Sequence, residues 1–243
     1  MISEKHSFDS CFEVFLADTP ESKLIHYNLR YQVYCDEMGF EDKDKFPDQM
    51  EIDDWDSQSA HFMVRHTHTG QWLGALRLVS QVSSAFPFET KCVPTTPITP
   101  DQYQHSMELS RLCVLREARR FAPRSFAEQA SDETSNIRYL STLRNQNRSI
   151  MWGLIRAAVV YSSQNDITQM YFLVAPALAL AVKKEGFAMR QVAEACDHRG
   201  QRIPYSLDVA DVLANSLWET DYRFEYRRYS EMDESNVDKR QRA

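Results

Sequence analysis

The sequence predicts a single α/β (α+β) domain in which helices flank a mixed central sheet. Three patterns carry this prediction. A strand followed by a capped helix opens the chain, two apolar runs flank a hairpin turn, and an amphipathic helix leads into a buried strand. The chain has 243 residues, of which 43% are hydrophobic, and this is enough to fill one sizeable core.

The opening unit lies in the first forty residues. Residues 12–17 alternate between apolar and polar side chains, which predicts a strand. Thr19 and Pro20 then match a helix N-terminus, where a threonine cap precedes proline at the first helical position. Apolar residues continue at helical spacing to Gly39, where we expect the helix to end. Residues 41–59 are acidic and aperiodic, so we expect a loop over the surface or over a site.

The next strands follow directly. Residues 60–66 and 72–79 are apolar runs separated by a turn that contains Gly70, and this pattern predicts a hairpin. A proline-dotted connection then leads to a predicted strand at 107–115. On a regular strand, alternation puts Glu108, Ser110 and Leu112 on one face and Leu109, Arg111 and Cys113 on the other.

The second half of the domain alternates between helices and strands. Residues 121–148 are polar and poor in periodic apolar positions, so we expect a mobile insertion there. An apolar stripe predicts a helix at 149–164, and a buried strand follows at 169–175. A short helix at 177–184 and a last core strand at 187–194 complete the predicted domain.

We place one domain at residues 1–230 and a disordered polar tail at 231–243. The start has no apolar signal core and no run approaches the roughly 20 apolar residues of a membrane helix, so we expect a cytoplasmic protein with no integral membrane segment. A net charge of -7 argues against nucleic acid as a partner. Five separated cysteines, odd in number, favour reduced thiols.

Four carboxylates and one tryptophan crowd into residues 51–56. Like charges this close repel one another and need cations or solvent around them. From charge pattern alone, a solvated acidic loop is the favoured interpretation. The alternative is an ion-paired cluster whose partners would be Arg30, Arg77 and Arg111.

Several motifs in this order resemble a known superfamily. They are Tyr31-Gln32-Val33-Tyr34-Cys35, Glu51-Ile52-Asp53, Glu108-Leu109-Ser110-Arg111 and Arg202-Ile203-Pro204-Tyr205. Together they resemble the GNAT-type acyltransferases, and within them the acyl-homoserine-lactone (autoinducer) synthases and N-acyl amino acid synthases. The most detailed likeness is to the acyltransferases associated with PEP-CTERM/exosortase systems, and it covers about residues 12–205.

The resemblance implies a GNAT (acyl-CoA N-acyltransferase) fold and assigns roles to individual residues. Catalytic roles fall to Glu108, Ser110 and Arg111. Residues that would shape the acceptor pocket are Arg30, Tyr34, Phe40, Glu51, Asp53, Asp56 and Arg77. Two positions depart from the family: Phe40 stands where a tryptophan is usual, and Tyr34 where a phenylalanine is usual, which leaves the acceptor open.

Acyl transfer to an amine needs a group that accepts the amine proton. Glu108 is predicted to be half buried on a central strand among apolar neighbours, and this environment would raise its pKa into the useful range. We therefore predict that Glu108 is the general base. The competing interpretation, a structural partner for an arginine, has close to equal weight.

The donor is inferred from the loop after the Glu108 strand. Many coenzyme A enzymes of this superfamily cradle the pyrophosphate with a glycine-containing loop, but residues 115–149 contain no glycine. Four arginines stand there instead: Arg116, Arg119, Arg120 and Arg124. A basic surface suits an acidic acyl carrier protein, so we expect an acyl-phosphopantetheine thioester on that carrier in preference to coenzyme A. We expect no tightly bound cofactor and, since His66 and His68 lack a third ligand, no metal.

Three hypotheses remain. The leading one is an N-acyltransferase that moves a fatty acyl group from acyl carrier protein to the amine of a small acceptor, an amino acid. The enzymatic alternative is an acyl-homoserine-lactone synthase that uses S-adenosylmethionine. The alternative of another class is a non-catalytic GNAT-fold module that binds a ligand or partner.

Overall fold

A mixed β-sheet organises the computed structural model, which describes residues 7–80, 85–121 and 133–232. Its strands are β1 (Phe12–Leu16), β2 (Ser59–His66), β3 (Trp72–Ser80), β4 (Ser106–Val114), β5 (Gln169–Val174), β6 (Arg190–Gln191), β7 (Cys196–Asp197), β8 (Gln201–Asp208) and β9 (Arg227–Arg228). They are ordered β6-β8-β5-β4-β3-β2-β1-β9, and β7 pairs with β8. The predicted α/β (α+β) fold class is confirmed.

Helices cover both faces of this sheet. The α-helices are α1 (Phe8–Cys11), α2 (Pro20–Tyr31), α3 (Pro100–Gln104), α4 (Glu133–Gln164), α5 (Pro176–Lys184), α6 (Val209–Leu213) and α7 (Leu217–Thr220). Helix α2 begins at the predicted cap. The Thr19 side chain accepts a hydrogen bond from the Ser22 backbone N–H, and the Ser22 hydroxyl accepts one from the Thr19 backbone N–H. Among the described residues, no helix is long and apolar enough to cross a membrane.

The core has a layer on each side of the sheet. On one side Leu73, Leu76 and Leu78 of β3 pack with apolar residues of α4 such as Ile150 and Leu154. On the other side the apolar face of α2 covers β2, β3 and β4, and its contacts are Leu29, Val33, Met63, Ala75 and Cys113. The sheet is therefore buried on both faces, as the apolar strand sequences require.

Strands β4 and β5 run parallel at the centre of the sheet and then part. Their pairing covers Ser106–Leu109 against Gln169–Phe172 and ends there. Beyond that point β4 pairs with β3, and β5 pairs with β8. The sheet thus has an opening between two neighbouring strands, just after Glu108.

A β-bulge interrupts β4 at the same place. The register shifts between Ala75 and Arg77 of β3, which pair with Cys113 and Ser110, so β4 holds one extra residue. Arg111 lies in the bulge with a φ of 50°. The predicted alternation is therefore wrong beyond Ser110, because the bulge brings Arg111 to the side of Glu108.

Two other expectations about secondary structure are corrected. Residues 133–148 of the predicted insertion are helical and extend α4; propagating a helix from a packed half needs no apolar stripe. The predicted strand at 187–194 contributes just β6, whereas β8 is the long strand of this region. Pro204 argued against a strand at β8, since proline lacks the N–H that a ladder uses.

A disulfide joins Cys92 to Cys196 across 104 residues of sequence. The expectation that all five thiols are reduced is therefore wrong for this pair, while Cys11, Cys35 and Cys113 are free. Sequence spacing could not predict this bond, because it depends on two distant loops meeting. The bond ties the segment before α3 to the hairpin of β7 and β8.

We predict that Gly153→Ala destabilises the protein. A Cβ at position 153 in α4 would overlap the ring of Phe8, which is buried against it. Helix propensity alone predicts the opposite sign, a gain of about 0.5–1 kcal/mol. We expect packing to dominate, with a loss of about 1–3 kcal/mol in the urea-unfolding free energy.

Adding Phe8→Leu to Gly153→Ala tests the cause, because the smaller side chain vacates the overlapped volume. The double variant should recover part of the loss. A Gly153→Ala protein as stable as the wild type would contradict this packing account.

Candidate active site

A cleft of about 410 Å³ opens on the α2 side of the sheet, beside the parting of β4 and β5. Three parts of the chain contribute to its walls: the acidic segment after α2, the central strands with the loop before α3, and the β7–β8 hairpin. The lining includes Tyr34, Phe40, Asp53, Trp55, Arg77, Phe88, Glu108, Ser110, Arg111, His198, Arg199 and Arg202.

The acidic segment folds back against the sheet and pairs with three arginines. Arg30 is fully buried, and its Nε and Nη1 donate to Glu51 and Asp56, each at 2.5 Å. Arg77 donates to Asp53 and, at 3.1 Å, to Asp56. The structure therefore brings together the residues that sequence analysis grouped, and a solvated acidic loop is excluded as a description of Glu51 and Asp56.

Arg111 closes the network from the bulge of β4. Its guanidinium is 3.0 Å from Glu51 and 3.0 Å from Asp53, and it lies over the ring of Tyr34. Three guanidinium cations thus face three carboxylates, so their formal charges cancel. Each of these carboxylates is ion-paired with at least one of the arginines, and these ion pairs hold the side chains of the network in place.

Asp56 is the most heavily coordinated of these carboxylates. Beyond Arg30 and Arg77, it accepts from the Asp53 backbone at 2.8 Å and contacts His61 Nε2 at 3.1 Å. Hydrogen bonds from His61 and both arginines outweigh burial and hold the Asp56 pKa well below its usual range. Burial lowers the pKa of His61, which favours a neutral imidazole.

Glu108 differs from the paired acids. Its side chain is 3% exposed and accepts a hydrogen bond at 2.8 Å from the backbone N–H of Phe88. Burial raises its pKa to about 8, although that N–H and the cations of Arg77 and Arg111 oppose the shift. A buried carboxyl that titrates near neutrality and lines a cleft can exchange a proton with a bound amine.

The helix after α2 changes form where it meets the cleft. Residues Gln32–Glu37 form a π-helical turn, a feature that is frequent at functional sites. Tyr34 on this turn donates its hydroxyl to the Leu112 carbonyl at 3.0 Å, and burial raises its pKa. Phe40 lies under the Arg199 guanidinium. Both aromatic positions singled out by the sequence therefore border the cleft.

Sequence analysis missed the wall formed by Lys91, His198 and Arg199. Arg202, beside them, was quoted for the family resemblance but given no role. Arg199 pairs with Glu41 and so joins the hairpin to the acidic segment. Their only sequence signal was a short basic run around Gly200, which periodicity could not place near Glu108.

The four arginines expected to bind a carrier lie partly outside the described structure. Arg116 is exposed, and its backbone donates to Glu37 at 2.9 Å. Arg119 and Arg120 belong to a 3₁₀ helix, Arg116–Phe121, in which the side chains from 119 onward are not described. Arg124 lies outside the described residues.

A narrow apolar cavity of about 40 Å³ lies on the α4 side of the same opening. Leu109 lines both this cavity and the cleft. Ile155, Val159, Phe172 and Val174 are among the residues that line it. The polar cleft and the apolar cavity thus both border Leu109, next to the opening between β4 and β5.

No group of three His, Cys, Asp or Glu within the described segments is arranged to hold a metal ion. The cleft offers a proton acceptor, a braced polar wall and a neighbouring apolar cavity. These are the requirements for moving an acyl group from a thioester to an amine.

The first comparison with known proteins matches residues 29–126 to the family model of the acetyltransferase (GNAT) domain. No curated protein sequence matches the chain. The matched span includes the last three residues of α2, the acidic segment and all of β4. Residues 29–126 are therefore similar to a GNAT domain.

Solved structures share the fold at low sequence identity. TofI, in a ternary complex with an inhibitor and MTA, is 16% identical with a TM-score of 0.57, over 84% of this chain and 95% of that one. BjaI, a CoA-dependent acyl-homoserine lactone synthase with SAM and isopentyl-CoA, is 17% identical with a TM-score of 0.54, over 84% and 87%. FeeM, an N-acyl amino acid synthase from uncultured soil microbes, is 11% identical with a TM-score of 0.50, over 85% and 96%.

The predicted likeness to GNAT enzymes, including acyl-homoserine-lactone synthases and an N-acyl amino acid synthase, is confirmed. The narrower likeness to PEP-CTERM/exosortase-associated enzymes stays a prediction. At these identities the structures establish the shared fold, so the roles of individual residues rest on the geometry above.

We predict that Asp56→Asn destabilises the protein by about 3–5 kcal/mol, because it leaves the buried guanidiniums of Arg30 and Arg77 with one carboxylate too few. Urea unfolding measures the loss. Asp36→Asn is the matched control: it removes an exposed ion pair with Lys43, at 2.6 Å, and should cost less than about 1 kcal/mol. Equal effects for the two variants would contradict the importance of the buried network.

Glu108→Gln should become more stable than the wild type as the pH rises. The folded carboxyl keeps its proton up to about pH 8, whereas the unfolded one loses it near 4.5. Folding therefore favours the protonated group, and the wild type loses stability between these pH values while the neutral amide does not. Melting temperatures from pH 4 to 9 should diverge across this window, and parallel profiles would contradict the raised pKa.

Proposed function

We propose that the protein is an N-acyltransferase that moves a fatty acyl group from an acyl carrier protein thioester to the amine of a small acceptor, an amino acid, and the match of residues 29–126 to the acetyltransferase (GNAT) domain model supports this proposal. The observation that carries the proposal is the environment of Glu108. Its buried carboxyl lines the cleft with a pKa near 8, beside an opening that leads to an apolar cavity.

The proposed reaction begins when Glu108 takes a proton from the ammonium of the acceptor. The neutral amine attacks the thioester carbonyl, a C–N bond forms, the C–S bond breaks, and the thiolate leaves and is protonated. A base whose pKa lies near the working pH is both available and strong enough for this transfer. The protonated carboxyl can then return its proton to the leaving sulfur, while the attacking nitrogen loses its second proton to solvent, so one ammonium and one thioester give one amide, one thiol and one released proton.

We assign the braced network to shaping the acceptor side of the cleft. Asp53, which is 25% exposed, and the aromatic residues Tyr34, Phe40 and Trp55 would face the acceptor. Ser110 accepts from Arg77 Nε at 3.1 Å, which fixes the polar wall next to Glu108. Arg30, Glu51 and Asp56 do not line the cleft and would act through this wall.

Acyl carrier protein is proposed as the donor because residues 115–149 lack glycine and carry Arg116, Arg119, Arg120 and Arg124. Coenzyme A is the competing donor, since BjaI is CoA-dependent. The second candidate function is an acyl-homoserine-lactone synthase with S-adenosylmethionine as acceptor, and it is favoured by the fold shared with BjaI, which was solved with SAM. A location in the cytoplasm stays a prediction.

Product mass analysis tests the proposal. Purified protein is incubated with a C8–C16 series of acyl carrier protein thioesters or acyl-CoA and with amino acids or S-adenosylmethionine. We expect an N-acyl amino acid, formed faster from the carrier thioester. A lactone product would select the second candidate, and thioester binding without any acylated amine would favour the non-catalytic module.

Glu108→Gln should lower kcat by about 10²–10⁴-fold, because the amide cannot accept a proton. In the wild type, kcat/KM should rise with pH and level off above about 8, as the carboxyl ionises. The control is Glu89→Gln, because this neighbouring carboxylate accepts a hydrogen bond from the Tyr103 hydroxyl and does not line the cleft. Similar kcat values for Glu108→Gln and the wild type would remove Glu108 from the mechanism.

A further inference from the structure

The cleft contains basic side chains that the proposed mechanism does not use. They are Lys91, His198 and Arg202, here called the cation wall. Lys91 follows the short 3₁₀ helix Pro87–Thr90, whose Phe88 donates to Glu108. The other two belong to the β7–β8 hairpin. The cation wall therefore belongs to the same cleft as the proposed base.

The cations of the cleft fall into two groups by their partners. Arg77, Arg111 and Arg199 are each paired with carboxylates. Lys91 and Arg202, in contrast, form no ion pair with any carboxylate in residues 7–80, 85–121 and 133–232; Arg202 Nη1 bonds the Gln201 carbonyl at 3.1 Å. Two positive charges thus line the cleft without a compensating protein anion in the described structure.

The electrostatic environment of His198 indicates that these positive charges lie close to its imidazole. Its pKa is lowered first by burial and then by four nearby cations, Arg199, Lys91, Arg111 and Arg202. His198 is therefore neutral near pH 7 and can add an N–H donor without adding charge. A half-buried imidazole surrounded by cations suits a bound anion.

The covalent structure holds this wall in place. Cys92, next to Lys91, is bonded to Cys196, and Cys196 lies opposite Arg202 in the β7–β8 pairing. The disulfide therefore links the loop that carries Lys91 to the hairpin that carries His198 and Arg202. Such a constraint reduces the entropy lost when an anion is bound.

We propose that the cation wall binds the carboxylate of the acceptor, which makes the acceptor a molecule with both an amine and a free carboxylate, as amino acids are. This inference rests on the proposed function and deepens it. Arg30, Arg77 and Arg111 are occupied by the acidic network, so the carboxylate is held by Arg202 with Lys91 and His198 instead. Arginine binds carboxylates through two parallel hydrogen bonds, which would orient the amine within the cleft.

A phosphate is the other anion to consider, since the donor carries phosphopantetheine. In that molecule the whole pantetheine arm separates the phosphate from the thioester. The cation wall shares a cleft of about 410 Å³ with Glu108, where the thioester must lie, so a short acceptor fits this spacing better. The experiment separates the two sources.

Arg202→Gln tests the proposal with paired acceptors, the amino acids acylated by the wild type and their primary amides, which lack the negative charge. The variant should raise KM for each acid by about 10–100-fold, the equivalent of losing a charged hydrogen bond. Rates with the amides and KM for the acyl thioester should not change. Arg202→Lys should retain part of the affinity, and Arg190→Gln, which changes an exposed arginine on β6 outside the cleft, is the matched control.

An equal loss for acids and amides would overturn the proposal, as would an increase in KM for the thioester alone, which would assign Arg202 to the donor phosphate. If the wild type acylates no amine, the proposed function fails, and calorimetric titration with the same amino acids still tests the site. Binding that Arg202→Gln abolishes and Arg190→Gln retains would support a carboxylate site. An absence of binding to the wild type would overturn it.

Discussion

The cleft depends on the burial of one guanidinium. Arg30 is fully buried, and a charge in that position is tolerated because Glu51 and Asp56 each accept a hydrogen bond from it. To supply those carboxylates, the segment after α2 must fold back over the sheet. Glu51 is then shared with Arg111 and Asp56 with Arg77, so the helix, the acidic segment and two strands are held by the same six charges.

The contrast between Asp56 and Glu108 explains how one sheet face can hold carboxylates with different chemistry. Both are nearly inaccessible. Asp56 has two guanidiniums and an imidazole within hydrogen-bond distance and stays ionised. Glu108 has one backbone N–H, so desolvation dominates and the neutral form persists to about pH 8. The paired acid provides structure, and the unpaired acid is left able to exchange a proton.

Sequence analysis predicted the elements whose signals are local. These elements are the helix cap at Thr19, the hairpin of β2 and β3, and the helix predicted at 149–164, which forms the second half of α4. Each has its own sequence pattern, and each is present in the structure. The grouping of Arg30, Arg77 and Arg111 with the acids came from a motif order rather than from any local pattern. Which arginine pairs with which carboxylate could be read only from the structure.

The remaining features could not be predicted because they arise from packing between distant segments. The bulge at Arg111 adds one residue to β4 and moves a charge to the other face, a change that alternation cannot reveal. Strand β8 contains Pro204, which a single-sequence rule rejects, yet its partners Leu173 and Val192 accommodate it. The cation wall requires the β7–β8 hairpin to meet the loop at Lys91, and neither segment indicates the other.

The bond between Cys92 and Cys196 has a topological consequence. It closes a ring that contains β4, α4 and β5, and with them Glu108 and most of the residues that line the apolar cavity, whereas Arg30 and the acidic segment precede the ring. A protease that cuts once between these two cysteines therefore leaves a single covalent molecule, which separates into two fragments on a gel after a thiol reductant is added. The two sides of the cleft thus differ in how they survive chain cleavage: one is held by a covalent bond, and the other by ion pairs and hydrogen bonds.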